Sequence, residues 1–199
     1  MEASKQDVRI CFIGDSFVNG TSDPEFLGWT GRVCAASLTD ERHLTHYNLG
    51  IRRDTSIDIA ARWQSETRSR FPDYSDNRIV FSHGVNDTTL VNGRWRRTMA
   101  ESTFDTNAML TQASTRWPVL MVGPLPIDDD EQNERTRQLD AAYAKLCAKI
   151  NIPYLSVFEP IYQQGTWLRE AHANDGAHPF AAGYTELAAL VLAWDAWWF

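Results

Sequence analysis

The chain has 199 residues, 43% hydrophobic and 23% charged, with a formal net charge of -7. That length and balance point to one globular domain over residues 1–199 with its own core, and exclude a disordered, fibrous or repeat-built chain. The acidic balance also excludes nucleic acid as a partner, because binders of polyanions neutralise phosphates with clustered Lys and Arg.

The N-terminal stretch MEASKQDVRICFIG is charged as far as Arg9 and then carries only a short apolar run. It lacks the uninterrupted apolar core of a secretory leader, so a cytoplasmic location is expected. VRICFIG is the first of several short apolar runs, followed in order by HYNLG, RIVFSHG, PVLMVGP and IPYLSVF. Longer segments with helical spacing separate them, an alternation that predicts βαβ units. The runs are apolar almost throughout, as parallel strands covered on both faces must be. The expected fold class is therefore α/β, a three-layer α/β/α sandwich on a central, mostly five-stranded parallel sheet.

Ahead of IPYLSVF, the acidic stretch DDDEQNE opens a helical pattern carrying Leu139, Tyr143 and Leu146, and carboxylates favour that end of a helix. After His178, the segment PFAAGYTELAALVLAWDAWW reads as a closing amphipathic helix; Asp195 interrupts the apolar run LAALVLAWDAWWF at its end, so no uninterrupted run approaches the roughly 20 apolar residues that cross a bilayer. The terminal Trp197, Trp198 and Phe199 are expected to dock onto the body or onto a subunit partner, so a homo-oligomer is one expectation. Cys11, Cys34 and Cys147 are odd in number and sit in apolar segments, which predicts buried reduced thiols and no metal site.

Ligands of open parallel sheets bind beyond the carboxyl ends of the strands. Those ends carry Gly14-Asp15-Ser16, Asn48-Leu49-Gly50 and Gly84-Val85-Asn86-Asp87, and Asp175-Gly176-Ala177-His178 follows the last run after a loop. A serine hydroxyl needs a base to take its proton, and the base needs a third group to fix its tautomer. Ser16 supplies the first. His178 and Asp175 supply the others from one loop, where Gly176 permits the tight turn. The backbone N–H groups of Ser16 and Gly50 and the Asn86 side-chain amide are candidate donors for an oxyanion.

The blocks GDS at 14–16, NLG at 48–50, GVND at 84–87 and DGAH at 175–178 together resemble those of the SGNH, or GDSL-like, hydrolases, in the same order and over most of the chain. The resemblance implies a flavodoxin-like sandwich, a small-molecule ester substrate, hydrolysis through an acyl-serine and no metal or organic cofactor. It assigns Ser16 as nucleophile and oxyanion donor, Gly50 and Asn86 as further donors, His178 as base and Asp175 as its orienting partner. Two positions depart from the pattern: Phe17 replaces leucine, with no expected effect on the chemistry, and Arg53 stands where a small residue is usual.

Asp15 and Asp87 read as carboxylates organising loop backbone, and His83 as a satisfied strand-end histidine. Candidate substrate-binding residues are Arg52, Arg53, Trp95 and Trp167. For the two arginines a salt bridge to Asp54 or Asp58 is the stronger expectation. Trp29, Trp95 and Trp167 fall in loop-like segments and offer an acyl or sugar platform, against the alternative of ordinary packing. Short acyl esters are the expected substrates. A lysophospholipase or thioesterase is the second enzymatic reading, and a non-catalytic flavodoxin-like module binding a nucleotide or sugar is the reading from another class.

Overall fold

The computed structural model describes residues 5–199, so the first four residues of the N-terminal stretch lie outside the described residues. In chain order the elements are β1 (Gln6–Gly14), α1 (Ser16–Asn19), α2 (Gly28–Ala36), β2 (Arg42–Gly50), α3 (Ser56–Arg68), β3 (Asp76–Ser82), β4 (Leu90–Val91) and β5 (Arg94–Trp95). They continue with α4 (Met99–Ser114), β6 (Val119–Val122), α5 (Asp130–Ile150), β7 (Tyr154–Leu155), α6 (Phe158–Gln164), α7 (Thr166–Ala173) and α8 (Ala181–Leu192). The main sheet is five-stranded in the order β2-β1-β3-β6-β7, and every pairing in it is parallel. All five apolar runs read from the sequence are strands of this sheet.

The period-two alternation of β1 sorts its side chains to two helical layers. Ile10 and Phe12 pack with Trp29 and Val33 of α2, Trp167 of α7 and Tyr184, Leu187 and Val191 of α8. Cys11 and Ile13 face the other way, onto Ile59 and Trp63 of α3, Met109 and Leu110 of α4, and Leu139, Tyr143 and Cys147 of α5. The three cysteines are buried free thiols, as expected. Helix α5 begins where its acidic start predicts: Asp129 caps it by accepting from Gln132 N at 2.9 Å, and Asp130 and Glu131 occupy its first turn.

Three elements differ from expectation. Strand β2 starts at Arg42, earlier than HYNLG, because it lies at the edge of the sheet and tolerates the polar residues that an inner strand excludes. The hairpin of β4 and β5 was not expected; Asn92 and Gly93 make its turn with φ of 52° and 73°, the positive pair a two-residue hairpin needs. The last helix stops at Leu192, and the tail folds back. Trp197 is buried in the core, with Nε1 donating to Ser37 Oγ at 3.0 Å, while Arg78 lies over the rings of Trp198 and Phe199. The terminal aromatics thus dock onto the chain's own body. Among the described residues no helix is long and apolar enough to cross a membrane.

Candidate active site

The strand order reverses between β1 and β3, and a doubly wound sheet opens its crevice at such a switch point. Gly14 ends β1 there; a Cβ on it would sit 1.9 Å from Ser82 O, so only glycine lets the two strand ends lie this close. The chain then turns sharply into α1, with Asp15 Oδ1 accepting from Phe17 N at 3.0 Å, which presents Ser16 above the sheet.

Although 162 positions separate them in sequence, His178 Nε2 lies 2.7 Å from Ser16 Oγ. His178 Nδ1 lies 2.7 Å from Asp175 Oδ2, and Asp175 Oδ1 accepts from the backbone N–H of His178 at 2.8 Å and of Ala177 at 3.0 Å. Gly176 holds the turn with φ of 82°. The loop is anchored at both sides: Asn174 Nδ2 donates to His178 O at 2.9 Å, and Gly176 O accepts from Asp128 N at 2.8 Å. Partial burial pushes the Asp175 carboxyl upward, but the hydrogen bonds from His178 and Ala177 outweigh it and hold the group at about 2. Asp175 is therefore a fixed acceptor at working pH. That fixes the proton of the ring on Nδ1 and leaves Nε2 free to accept from Ser16.

A cavity of about 120 Å³ opens over Ser16, lined among others by Phe17, Arg52, Arg53, Asn86, Gln132 and His178. Asn86 is oriented by donating from Nδ2 to Asp54 O at 3.0 Å, which leaves the second amide hydrogen of the same nitrogen available. The Ser16 N–H heads α1 and has no intrahelical acceptor. Gly50 differs from expectation. Its N–H donates to Asn48 Oδ1 at 3.0 Å, and it is not among the cavity-lining residues. What requires glycine there is close approach, since a Cβ would lie 2.1 Å from Asn19 N and 2.6 Å from Asp15 O.

The tryptophan expectations are corrected. Trp167 is fully buried in α7, donates to Pro126 O at 2.9 Å and packs 5.3 Å from Phe17; it lies beneath the site as support and offers no platform. Trp29 is fully buried in α2. Trp95 sits half-buried on β5 and is not among the residues that line the cavity. Trp29 and Trp167 thus lie in helices and not in the loop-like segments expected, and the ordinary packing weighed against a platform is what they do. Arg52 and Arg53 do reach the cavity, and the salt bridges expected for them are absent among the described residues: Asp54 pairs with Arg62 at 2.7 Å and Asp58 closes a capping box on Thr55. Phe17 also matters more than expected, with its ring 5.2 Å from that of His178.

Some positioning residues were invisible in the sequence. Arg62 of α3 donates to Gly14 O and Leu49 O, each at 2.9 Å, and ties the carboxyl ends of β1 and β2 together. Asn48 donates to Val18 O at 2.7 Å, binding the second block to α1. Asp87 accepts from Ser56 N at 2.8 Å and from Ser102 Oγ, organising loop backbone as expected. His83 is buried under the loop with Nε2 2.9 Å from Thr106 Oγ1, while its Nδ1 has no partner among the described residues. Among the described residues no group of three or more His, Cys, Asp or Glu is placed to hold a metal ion.

Burial pushes the Asp15 carboxyl up to about 7, against the pull of Phe17 N–H, with the neighbouring Asp87 and Asp54 acting in the same direction as burial. The folded chain therefore keeps a proton that the unfolded chain gives up near its ordinary value, so the stability that Asp15 contributes is present below about pH 4 and is lost as pH rises to about 7. In Asp15→Asn this dependence disappears. The difference in unfolding free energy between variant and wild type is expected to move in the variant's favour by on the order of 2 kcal/mol between about pH 5 and pH 8, read by denaturant titration. A difference that stays constant with pH would show that Asp15 is ionised throughout.

The chain is thus a doubly wound, flavodoxin-like α/β protein with Ser16, His178 and Asp175 hydrogen-bonded in series at the switch point of its sheet. The chain belongs to the GDSL-like lipase/acylhydrolase family, whose pattern matches residues 12–185. It is similar in fold to a lipase/acylhydrolase from Enterococcus faecalis, at 24% identity and a TM-score of 0.74, covering 92% of this chain and 93% of that one. It is also similar to a catalytic mutant of an acetylxylan esterase from Geobacillus stearothermophilus, at 18% identity and a TM-score of 0.76, covering 96% and 95%. A G-D-S-L family protein from Veillonella parvula is a third, at 20% identity, a TM-score of 0.73 and coverage of 94% and 96%. No curated protein matches the sequence.

Proposed function

We propose that the chain, acting as one catalytic unit over residues 1–199, is a carboxylic ester hydrolase for short acyl groups that works through an acyl-Ser16 intermediate. The observation that carries this is the hydrogen-bonded series from Ser16 Oγ through His178 to Asp175, with both links at 2.7 Å, at the base of a cavity. Ser16 Oγ attacks the ester carbonyl as His178 Nε2 takes its proton. The same proton passes to the departing alcohol when the carbon–oxygen bond breaks. Water, deprotonated by His178, then attacks the acyl-serine, and His178 returns that proton to Ser16 Oγ as the acyl–oxygen bond breaks and the acid leaves.

Negative charge on the carbonyl oxygen during each attack is met by Ser16 N–H and the Asn86 amide; the Gly50 N–H joins them only by giving up Asn48. Asn86→Ala is expected to lower kcat by roughly 100-fold with little change in KM, because its contact strengthens only as charge develops. An unchanged kcat would remove Asn86 from the site. The volume of about 120 Å³ lies well below the ~300–1,000 Å³ of sites for larger ligands, which supports a short acyl group over a lipid chain.

The direct test is to treat the protein with a fluorophosphonate during turnover of p-nitrophenyl acetate. Loss of activity in step with phosphonylation of the peptide bearing Ser16, together with turnover that declines as the acyl chain lengthens, is the expected result. Labelling of another residue in step with loss of activity would move the nucleophile away from Ser16, and absence of both turnover and labelling would promote the non-catalytic binding module. Faster turnover of long-chain esters or thioesters would favour the lysophospholipase or thioesterase reading.

A further inference from the structure

Arg52 and Arg53 border the same cavity as Ser16 and His178, and both are exposed. Among the described residues neither enters a salt bridge. The carboxylates nearest in sequence are engaged elsewhere, Asp54 by Arg62 and Asp58 by Thr55. The segment that bears the arginines is tied down: Arg96 Nη2 donates to Arg53 O at 2.9 Å, and Asn86 Nδ2 to Asp54 O at 3.0 Å. A chain of net charge -7 therefore concentrates unpaired positive charge at the mouth of its site.

The backbone adds an independent observation. Arg53 has φ of 70°, in the left-handed region that favours glycine. A long cationic side chain held at such a position beside a reaction site is the kind of local strain that accompanies function.

We propose that Arg52 and Arg53 form a subsite for an anionic oxygen group, carboxylate or phosphate, carried by the ester substrate away from the bond that is cleaved. This inference rests on the esterase reading and narrows it to short acyl esters with an acidic substituent. The guanidinium fork matches the paired oxygens of either group, and the neutral ester of the same shape leaves it unmatched.

The test compares kcat/KM for 4-acetoxybenzoate with that for its methyl ester, and for 4-acetoxyphenyl phosphate with that for phenyl acetate, in wild type, Arg52→Ala, Arg53→Gly and the double variant. Dividing the wild-type ratio by the variant ratio cancels the intrinsic reactivity of the leaving groups. The ratio is expected to fall about tenfold in the double variant, the worth of a hydrogen bond to a charged group, and the wild-type ratio to shrink at high salt. A fall in the carboxylate pair alone assigns a carboxylate, and a fall in the phosphate pair alone assigns a phosphate. Arg53→Gly suits the observed backbone, so a melting temperature near that of wild type accompanies the change. Ratios that stay the same in wild type and double variant, with turnover present, overturn this inference alone. Absence of turnover on every ester in wild type, with Ser16 unlabelled, overturns the catalytic reading beneath it.

Discussion

Ser16→Ala is expected to lower kcat for p-nitrophenyl acetate by about 10^5- to 10^6-fold while the protein stays folded. Ser16 Oγ makes its hydrogen bond to His178 Nε2 and lines the cavity, so under the proposed mechanism its removal takes away the attacking atom along with one hydrogen bond. Losing that bond costs about 1 kcal/mol of stability, which a thermal melt reads as a shift of a few degrees. The backbone N–H at position 16 survives the substitution, so the variant still binds the ester and keeps a small residual rate from the oxyanion contacts. A fall of less than tenfold would mean that another group attacks the ester.

The second large effect is at the acid. Asp175→Asn is expected to reduce kcat by about 10^3- to 10^4-fold with KM nearly unchanged. The carboxylate accepts from His178 Nδ1 at 2.7 Å, and an amide at that place donates instead, which leaves the remaining ring proton on Nε2 and removes the acceptor that Ser16 needs. The Asp175 carboxyl, held at about 2, is ionised at any pH used for assay, so the loss should persist across the whole profile. Its folded value lies below the unfolded one. Any stability it contributes is therefore present above about pH 4 and lost as pH falls through about 2. With 41% of its side chain accessible, that contribution is small, and stability and turnover separate in this variant. A variant as active as wild type would show that the His178 ring keeps its orientation without the carboxylate.

These expectations trace back to features that differ in how local they are. Ser16, Asp175 and His178 could be singled out because each lies in a short block near a strand end that an apolar run marks out, and the structure brings the three into hydrogen-bond contact. Gly50 was readable as a position but not in its role: the bond from its N–H to Asn48 and the close packing against α1 depend on how two distant segments meet. The fates of Trp29 and Trp167 were equally hidden, because an indole in a Gly-flanked segment looks alike whether it lines a cavity or supports its floor. Arg62 gave no local sign of clamping two strand ends.

Composition and pattern alone determined the fold class and the five strands of the main sheet, because each follows from local periodicity, while the four blocks, by their resemblance to a family, singled out Ser16, Asp175 and His178 as candidates. The tertiary structure decided the strand order β2-β1-β3-β6-β7, the size of the cavity, the burial of Trp29 and Trp167 and the pairing of Asp54 with Arg62 in place of Arg52 or Arg53. The physical reason is that hydrogen-bond and ion-pair partners are chosen by distance, and neighbours across 162 positions, such as Ser16 and His178, acquire their 2.7 Å only when the sheet closes its order.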